Sequence, residues 1–520
     1  MAAAAWPGTL GALSASDVDL LEPTRVTTSR PAAVIVLAAG EGTRMKSATP
    51  KVLHPIAGRT LLGHAIAAAR GADPAHLAVV VRHERDRVAA HVAEVDPAAV
   101  IADQDEVPGT GRATECALDL LPSDLEGTVL VTYGDVPLLT AATLHDLIEA
   151  HHASGSAVTV ITATLEDPHG YGRILRDEHG EVAGIVEQKD ATAEQRAITE
   201  INSGLYAFDA TVLRKALAEV GTDNAQGEKY LTDVLAIARR EGLKVSAHLV
   251  ADLWQTEGVN DRVQLARLGA ELNRRILEGW MREGVTVVDP ASTWVDADVT
   301  IGRDTVIQPG TQLKGATTIG SGVMLGPDTT LEDVEVRDGA SVVRTHGSLA
   351  VIGEGASVGP FAYLRPGTEL GTKSKIGTFV ETKNTTIGEG GKVPHLTYAG
   401  DATIGAGANI GAGTIFANYD GVNKYPTVVG DHSFVGSNSV IVAPRTIAPG
   451  SYVAAGSAVT VDVGPGELAV ARGRQRNIAG WVARTRAGTR TAAAAEAAAS
   501  EAAATSPTDR PDAPEGTPAP

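Results

Sequence analysis

Cysteine is nearly missing: Cys116 is the only one in 520 residues. A disulfide framework and a thiolate metal cluster are thereby excluded. Long apolar runs are missing too, and none approaches the roughly 20 residues of a membrane-spanning helix. The opening stretch, MAAAAWPGTLGALSASDVDLLEP, has neither the basic start nor the apolar centre of a secretory leader, so no signal peptide is expected. Positive charge is scarce: 44 Lys and Arg face 63 Asp and Glu, for a formal net charge of -19. Such a surface disfavours nucleic acid and anionic membrane as general partners. Small anionic ligands stay possible where a local cluster of cations opposes the global field. The expectation is a cytoplasmic protein with small-molecule substrates, no membrane insertion, and enough chain for two or three cores.

What is present divides the chain into regions. Residues 1–30 read as a flexible extension. From PAAVIVLAAG (31–40) to about residue 262, apolar strands alternate with amphipathic helices, the pattern of a mostly parallel α/β sheet. Residues 263–284 read as one linking helix, with Leu265, Leu268, Leu272, Ile276 and Trp280 on one face. The period then becomes six over residues 285–482. Ile301, Ile307, Leu313, Ile319, Leu325 and Leu331 begin the series, and Val429, Val435, Ile441, Ile447 and Val453 resume it. Small residues fill the spaces. Hexads of this kind point to a left-handed parallel β-helix with three hexads to a triangular coil. A Gly-rich sandwich is the alternative, but it would alternate at two. Residues 483–520, rich in Ala, Pro and Ser, read as a disordered tail.

LAAGEGTRMKSATPK (37–51) follows the first strand. Its glycines let the backbone turn around an anion, and Arg44 and Lys51 can meet phosphate charge. It lacks the GKS/T ending of a Walker loop. A plain strand-to-helix turn explains the glycines but not both cations. In YGDVP (133–137), Asp135 stands at the carboxyl end of a strand, the edge where open α/β sheets bind ligands. A carboxylate there suits Mg²⁺, although a lone Asp after a strand is more often a helix cap.

The solenoid carries a second set. His395 and Tyr398 interrupt the hexads, as do Asn418 and Tyr419, while Arg365 and Lys383 lie in earlier coils. A solenoid returns its chain to the same side in every coil, so such residues can meet in an anion-recognising cleft. The alternative for His395 is a loop histidine with no task. Arg472, Arg474 and Arg476 form a cationic end in LAVARGRQR (468–476), and for the last two a solvated basic face is the favoured reading.

LAAGEGTRMKSATPKVLH, QDEVPGTG, YGDVPL, GYGRI, VEQKDA, EINSG and EGVNDR occur in order, followed by FAYLRPG and HLTYAGD…NYDG. Over residues 31–480 the set resembles the bifunctional N-acetylglucosamine-1-phosphate uridyltransferase/glucosamine-1-phosphate acetyltransferase family. The resemblance implies a Rossmann-like nucleotidyltransferase domain, a β-helix acetyltransferase domain and a homotrimer. The product would be UDP-N-acetylglucosamine, a cell-envelope precursor, made with UTP, acetyl-CoA and Mg²⁺. It implies that Leu37, Ala38, Gly40, Lys51, Gln104, Gly109 and Thr110 bind UTP, and that Gly172, Glu187 and Asn202 hold the hexosamine. Asp135 and Asn260 would bind Mg²⁺, and Arg44 and Lys51 would offset phosphate charge. In the second domain, Arg365, Lys383, Tyr398, Asn409 and Lys424 would bind glucosamine 1-phosphate, with His395 as general base and Glu381 beside it. Ala412, Asn418, Tyr419, Ser437, Ala455 and Arg472 would take acetyl-CoA, with the Ser437 hydroxyl donating to the oxyanion. One departure is visible: Arg112 stands where the family commonly has His. A nucleoside-diphosphate-sugar pyrophosphorylase with a regulatory β-helix is one rival, and an inactive sugar-nucleotide-binding module is another. The first gives no reason for His395, Arg365, Lys383 and Tyr398.

Overall fold

The computed structural model describes residues 30–224 and 226–504. The expected N-terminal extension, apart from Arg30, and the last residues of the tail lie outside the described residues.

The first region is an open sheet. Its main path runs Val245–Leu249, Val158–Thr164, Glu200–Asp209, Thr128–Tyr133, Ala33–Leu37, His76–Val81 and Val100–Asp103 in spatial order, with Gly172–Arg176 and Val182–Val186 branching from Glu200–Asp209. Glu200–Asp209 lies antiparallel to both neighbours, while Ala33–Leu37 is parallel to both of its own. Ala33–Leu37 is buried along its whole length. A continuous apolar run is what a strand covered on both faces requires. Cores on the two faces share this sheet: Ile35 and Val131 pack on one side, Val36 and Leu130 on the other.

Helix Arg262–Arg282 joins the domains. Leu268, near its start, packs with Met45, Ile56 and Leu138 of the first domain. Leu277 and Trp280, near its end, belong to the solenoid core. Between them Asn273 is buried. Its amide donates to the Thr293 carbonyl at 2.8 Å and accepts from the Val295 N–H at 3.0 Å, which fixes the first coil on the helix. Nearby, Ala297 N–H donates to the Ala57 carbonyl at 2.9 Å, and Arg59 pairs with Asp298 across the junction. A cavity of about 750 Å³ lies here, lined in part by His64, Leu138, Leu272 and Arg275.

The solenoid has three parallel faces. One eleven-stranded sheet forms a face, and a seventeen-stranded sheet, pairing alternate strands, wraps the other two. Ile301, Ile307, Leu313, Ile319, Leu325 and Leu331 are all buried in one continuous core. Many of the threonines and serines that turn inward between the aliphatics bond backbone carbonyls, though the buried hydroxyls of Ser374 and Thr427 have no partner among the described residues. Thr305 donates to Gly320 O at 2.8 Å, Thr317 to Lys314 O at 2.7 Å and Ser439 to Gly436 O at 2.7 Å. That is why small hydroxyl residues recur in the hexads: a buried hydroxyl without a partner costs free energy.

Within the stretch 483–520, expected to be disordered, the described residues hold a helix at Arg490–Ala504. The segment RTAAAAEAAASEAAA lacks large apolar residues, which suggested a chain without a core. Its alanines, however, have the highest intrinsic helix propensity.

Two buried histidines make the first domain acid-sensitive. Burial pushes His64, whose ring bonds the Ile56 carbonyl at 3.0 Å, down to about 4. Burial also lowers His151 to about 4, with the neighbouring His152 adding to the effect. A folded pKa below the unfolded value of about 6.5 gives stability that is complete above that value. It is lost as pH falls toward 4, by on the order of 3 kcal/mol for His64. His64→Gln keeps a donor for Ile56 and should lose less stability than wild type between pH 6.5 and 4.5. Parallel denaturant-midpoint curves for the two proteins over that range would exclude the His64 contribution.

Two candidate active sites

The first site opens at the carboxyl ends of the two central strands, Ala33–Leu37 and Thr128–Tyr133. A cavity of about 680 Å³ is lined by Leu37, Ala38, Gly40, Lys51, Gln104, Gly109, Thr110 and Asp135. All eight were singled out from the sequence. Lys51 pairs with the Asp135 carboxylate, and its ammonium also reaches Asn260 Oδ1 at 3.4 Å. The segment carrying Asn260 is held against the same turn, because Val259 N–H donates to the Asp135 carbonyl at 2.9 Å. Asp135 and Asn260 thus present two oxygen donors to one cation, the ammonium of Lys51. Hard oxygen donors in small number fit Mg²⁺, which keeps waters and phosphate oxygens for its other positions. Among the described residues no three or more His, Cys, Asp or Glu side chains are grouped to hold a metal ion.

Two glycines here are dictated by close approach. Gly42 has φ +64°, and a Cβ on it would stand 2.4 Å from Lys51 Cβ. Gly109 has φ +116°, and a Cβ would stand 2.4 Å from the Lys229 carbonyl oxygen. L-residues rarely adopt such φ values. Gln104 is anchored by its own N–H to the Val81 carbonyl at 3.0 Å, at the end of the adjacent strand.

Gly172, Glu187 and Asn202 lie outside that cavity lining but beside one another. A Cβ on Gly172 would meet Asn202 Cβ and Glu187 Oε1, each at 3.4 Å. Asn202 Oδ1 accepts from the Gly204 N–H and the Tyr206 hydroxyl, both at 2.9 Å. Burial raises the Glu187 carboxyl, and Asp190, Asp233 and Glu228 raise it further. Tyr133 connects the two groups: it lines the cavity, and its ring packs against Gly204. Burial lifts its phenol, with Glu187 and then Asp135 adding. The sequence reading missed Tyr133, although it begins the quoted YGDVP. It also missed Arg82, His83 and Glu84, which line the cavity after the strand His76–Val81. Arg44 is exposed in the short helix Thr43–Met45 and does not line the cavity, unlike Lys51.

The second site lies on the solenoid. Parallel pairing stacks Tyr363, Glu381 and Tyr398 in one column, continued by Ile415. Lys383 sits two residues along from Glu381, in register with Gly400. Arg365 Nη1 bonds Glu381 Oε1 at 2.8 Å, and this carboxylate raises the guanidinium's pKa. Lys383 has a different neighbour. The Lys424 ammonium beside it is the main cause of its lowered pKa, and Asp401 compensates only in part. Lys424 arrives on a hairpin that leaves the prism: Tyr419 pairs with Lys424, and Tyr425 N–H donates to Asn418 O at 2.8 Å. Asn418 is buried and ties the hairpin down through Asp401 Oδ2 at 2.6 Å.

His395 is exposed at the end of the strand Lys392–His395, where it pairs with Thr378. Its carbonyl accepts from Gly413 N–H at 3.2 Å and from the Thr397 hydroxyl at 2.8 Å. Among the described residues no hydrogen bond ties its ring to Glu381. Above it, along one edge, come Ala412, Ser437, Ala455 and Arg472. Asn438 N–H donates to Ala412 O at 2.7 Å, Gly456 N–H to Ser437 O at 2.8 Å, and Arg472 Nη1 to Ala455 O at 2.9 Å. Asn409 pairs with Lys392 on the same face as His395. One chain therefore supplies two groups, a charged cluster around Lys383 and an edge that starts at His395, without a described hydrogen bond from the His395 ring to the cluster.

Comparison with known proteins matches both halves. Residues 34–201 match a MobA-like NTP transferase domain, and residues 426–461 match a hexapeptide repeat of succinyl-transferase. The chain is 62% identical over 466 residues to the bifunctional protein GlmU of Kineococcus radiotolerans, covering 90% of this chain and 95% of that one. It is 61% identical over 468 residues to that of Pseudarthrobacter chlorophenolicus, covering 90% and 95%. The corresponding protein of Mycolicibacterium vanbaalenii is 60% identical over 467 residues, covering 89% and 95%. With a cavity at the carboxyl edge of an α/β sheet, a hexapeptide solenoid carrying Arg365, Lys383 and Lys424, and this identity over nearly the whole chain, the protein belongs to the GlmU family of bifunctional N-acetylglucosamine-1-phosphate uridyltransferases and glucosamine-1-phosphate acetyltransferases.

Proposed function

We propose that the two reactions that make UDP-N-acetylglucosamine are divided between the two sites by the residues just described. For uridylyl transfer, the observation that carries the reading is Lys51 held between Asp135 and Asn260 at the sheet's carboxyl edge. UTP lies across Leu37, Ala38, Gly40, Gln104, Gly109 and Thr110, with Gly172, Glu187 and Asn202 around the hexosamine. A phosphate oxygen of N-acetylglucosamine 1-phosphate bonds to the α-phosphorus of UTP, and the bond to the departing pyrophosphate breaks. That phosphate is already ionised near neutral pH, so no protein base is required. Lys51 offsets charge on the phosphates, and Arg44 adds to the field at the entrance. Asp135 and Asn260 would hold Mg²⁺, which supplies further neutralisation of phosphate charge when bound. The protein's share is positioning and electrostatics.

For acetyl transfer, the like-charged pair Lys383 and Lys424 carries the reading. Two ammonium groups side by side favour a phosphate between them. Arg365, Tyr398 and Asn409 complete the binding of glucosamine 1-phosphate. His395 takes a proton from the 2-amino group as its nitrogen bonds to the thioester carbon of acetyl-CoA. The carbon–sulfur bond then breaks and the CoA thiolate leaves. Imidazole can accept and release a proton near neutral pH, which suits this task. Glu381, already engaged by Arg365, orients that guanidinium rather than His395 within one chain. Ser437 donates to the oxyanion, and Ala412, Asn418, Tyr419, Ala455 and Arg472 receive acetyl-CoA. The lone thiol, Cys116, is buried in the other domain, so transfer is direct.

A homotrimer completes the second site in this reading. Phe361, Phe379 and Leu396 are exposed at successive corners, and the two rings stack with centroids 5.4 Å apart. This apolar ridge adjoins His395, and a second copy packed on it would bring another chain's cluster to the histidine. Apolar ridges of this kind mark association surfaces.

Asp135→Ala should lower uridylyl transfer by on the order of 10²-fold or more and leave acetyl transfer intact. Undiminished uridylyl transfer at low Mg²⁺ in a folded variant would refute the role given to Asp135. His395→Ala should lower acetyl transfer roughly 10²–10⁴-fold and spare uridylyl transfer. The check is the pH profile of acetyl-transfer kcat/KM beside circular dichroism. A folded variant with a near-wild-type profile would remove His395 from the mechanism.

A further inference from the structure

Arg112 occupies the first turn of the helix Thr110–Leu120. A cation there opposes the positive end of the helix dipole, so the position needs a compensating reason. Its guanidinium is shared between two carboxylates. Nε and Nη2 bond Asp105 Oδ2 at 3.0 and 2.6 Å, and Nη1 bonds Glu115 Oε2 at 2.6 Å. Glu115 Oε2 also receives Lys229 Nζ at 2.9 Å. Burial alone would raise the Glu115 carboxyl, but Lys229 and Arg112 outweigh it and hold it low. The result is a chain of alternating charge, Asp105–Arg112–Glu115–Lys229. It ties three segments together: the loop after the strand Val100–Asp103, the helix, and the strap around Lys229. Backbone bonds repeat the tie, from Lys229 N–H to Pro108 O at 2.9 Å and from Gly111 N–H to Lys229 O at 2.8 Å.

The tied loop carries Gln104. Its side-chain Nε2 donates to Val107 O at 3.0 Å and to Gly109 O at 3.1 Å. Both partners are carbonyls, so the amide nitrogen must face them, and both of its hydrogens are used. Oε1 is left with no partner among the described residues, on a side chain that lines the nucleotide cavity. An amide oxygen fixed in this sense is an acceptor only. It suits the N3–H donor of uracil and repels the N3 lone pair of cytosine. Asp105 closes the loop from the other side, since its Oδ1 accepts from the Val107 N–H at 3.0 Å.

We infer that Arg112 is a positioning residue for base selection, fixing through Asp105 the loop that holds the Gln104 amide in its uracil-accepting orientation. The inference rests on the reading above that Gln104 faces the base. Asp105 and Val107 lie at the surface, so without Arg112 the loop would have water as its competitor for every bond. An isolated surface ion pair would contribute little. Here the guanidinium joins two carboxylates that also hold the loop and the strap, and its loss releases both.

The experiment measures kcat and KM for UTP and CTP on the full chain, for wild type, Arg112→Ala, Arg112→Lys and Gln104→Ala. In Arg112→Ala, KM for UTP should rise on the order of tenfold, the size expected for losing a hydrogen bond to a charged partner. The preference for UTP over CTP should fall by a similar factor, with kcat within about threefold and acetyl transfer unchanged. Arg112→Lys should recover part of the preference, because one ammonium cannot reproduce the fork. A merely structural role would lower the melting temperature and kcat while leaving the UTP/CTP ratio in place. That ratio unchanged in folded Arg112→Ala, with Gln104→Ala losing it, would overturn the clamp and keep Gln104 as the base reader. A ratio unchanged in Gln104→Ala would overturn both.

Discussion

Everything on the solenoid depends on the register between coils. Ile307 pairs with Leu325 and Leu325 with Val342, so each aliphatic closes the core over the one before it. Burying each such side chain is worth about 1.5–3 kcal/mol relative to exposing it. A slip of one residue would turn the whole inner column outward. The same register fixes what faces out. Adjacent parallel strands lie roughly 4.8 Å apart, so Tyr363, Glu381 and Tyr398 form a ladder with no freedom to choose their neighbours. The outward side chains are thus positioned by the core behind them. The one long excursion respects this constraint. Ile387 pairs with Ile404, but Ile404 pairs with Val429, and the extra chain between leaves as the hairpin around Asn418–Tyr425. The columns resume above it in phase.

Both sites gather cations within a protein of formal charge -19. They do so differently. At the first, Lys51 has two oxygen partners from its own chain, the Asp135 carboxylate and Asn260 Oδ1. At the second, Lys383 faces Lys424, and Asp401 offsets only part of the repulsion. The first arrangement is balanced within the chain, because Lys51 is paired with a carboxylate. The second leaves two neighbouring ammonium groups only partly offset.

The hexads were legible because a β-helix repeats its inward residues at a fixed interval, and every one of Ile301, Ile307, Leu313, Ile319, Leu325 and Leu331 is buried. The nucleotide loop was legible in its glycines and in Lys51, whose close packing on Gly42 requires both. Arg44 looked equivalent to Lys51 in the sequence. The turn between them, however, buries Met45 and sends Arg44 outward, which spacing alone does not reveal. Tyr133 was hidden in a strand whose other residues are core. Only the sheet shows that its ring reaches past Gly204 toward Glu187. Arg82, His83 and Glu84 stand on a short turn with no motif of its own. The tail helix escaped notice for another reason: alanine favours a helix without needing a core.

Chemical independence of the two sites does not make the domains independent in folding. The helix Arg262–Arg282 contributes Leu268 to the first domain and Leu277 with Trp280 to the solenoid. Asn273 lies between these groups and serves the first coil through both halves of its amide. A break near Trp280 would therefore strip the solenoid of the Leu277 side chain and the Asn273 amide together. It would leave the Thr293 carbonyl and the Val295 N–H without their partner. Each such buried orphan costs about 1–3 kcal/mol, and the lost apolar burial adds to it. A division placed before Asn273 keeps those groups with the coils but still exposes the Leu268 end of the helix and breaks the Ala57–Ala297 and Arg59–Asp298 contacts. Arg275 complicates even that cut, since it bridges Glu271 on the helix and Asp252 in the first domain. The linking helix is thus a shared part of two cores, and the boundary between them falls within it.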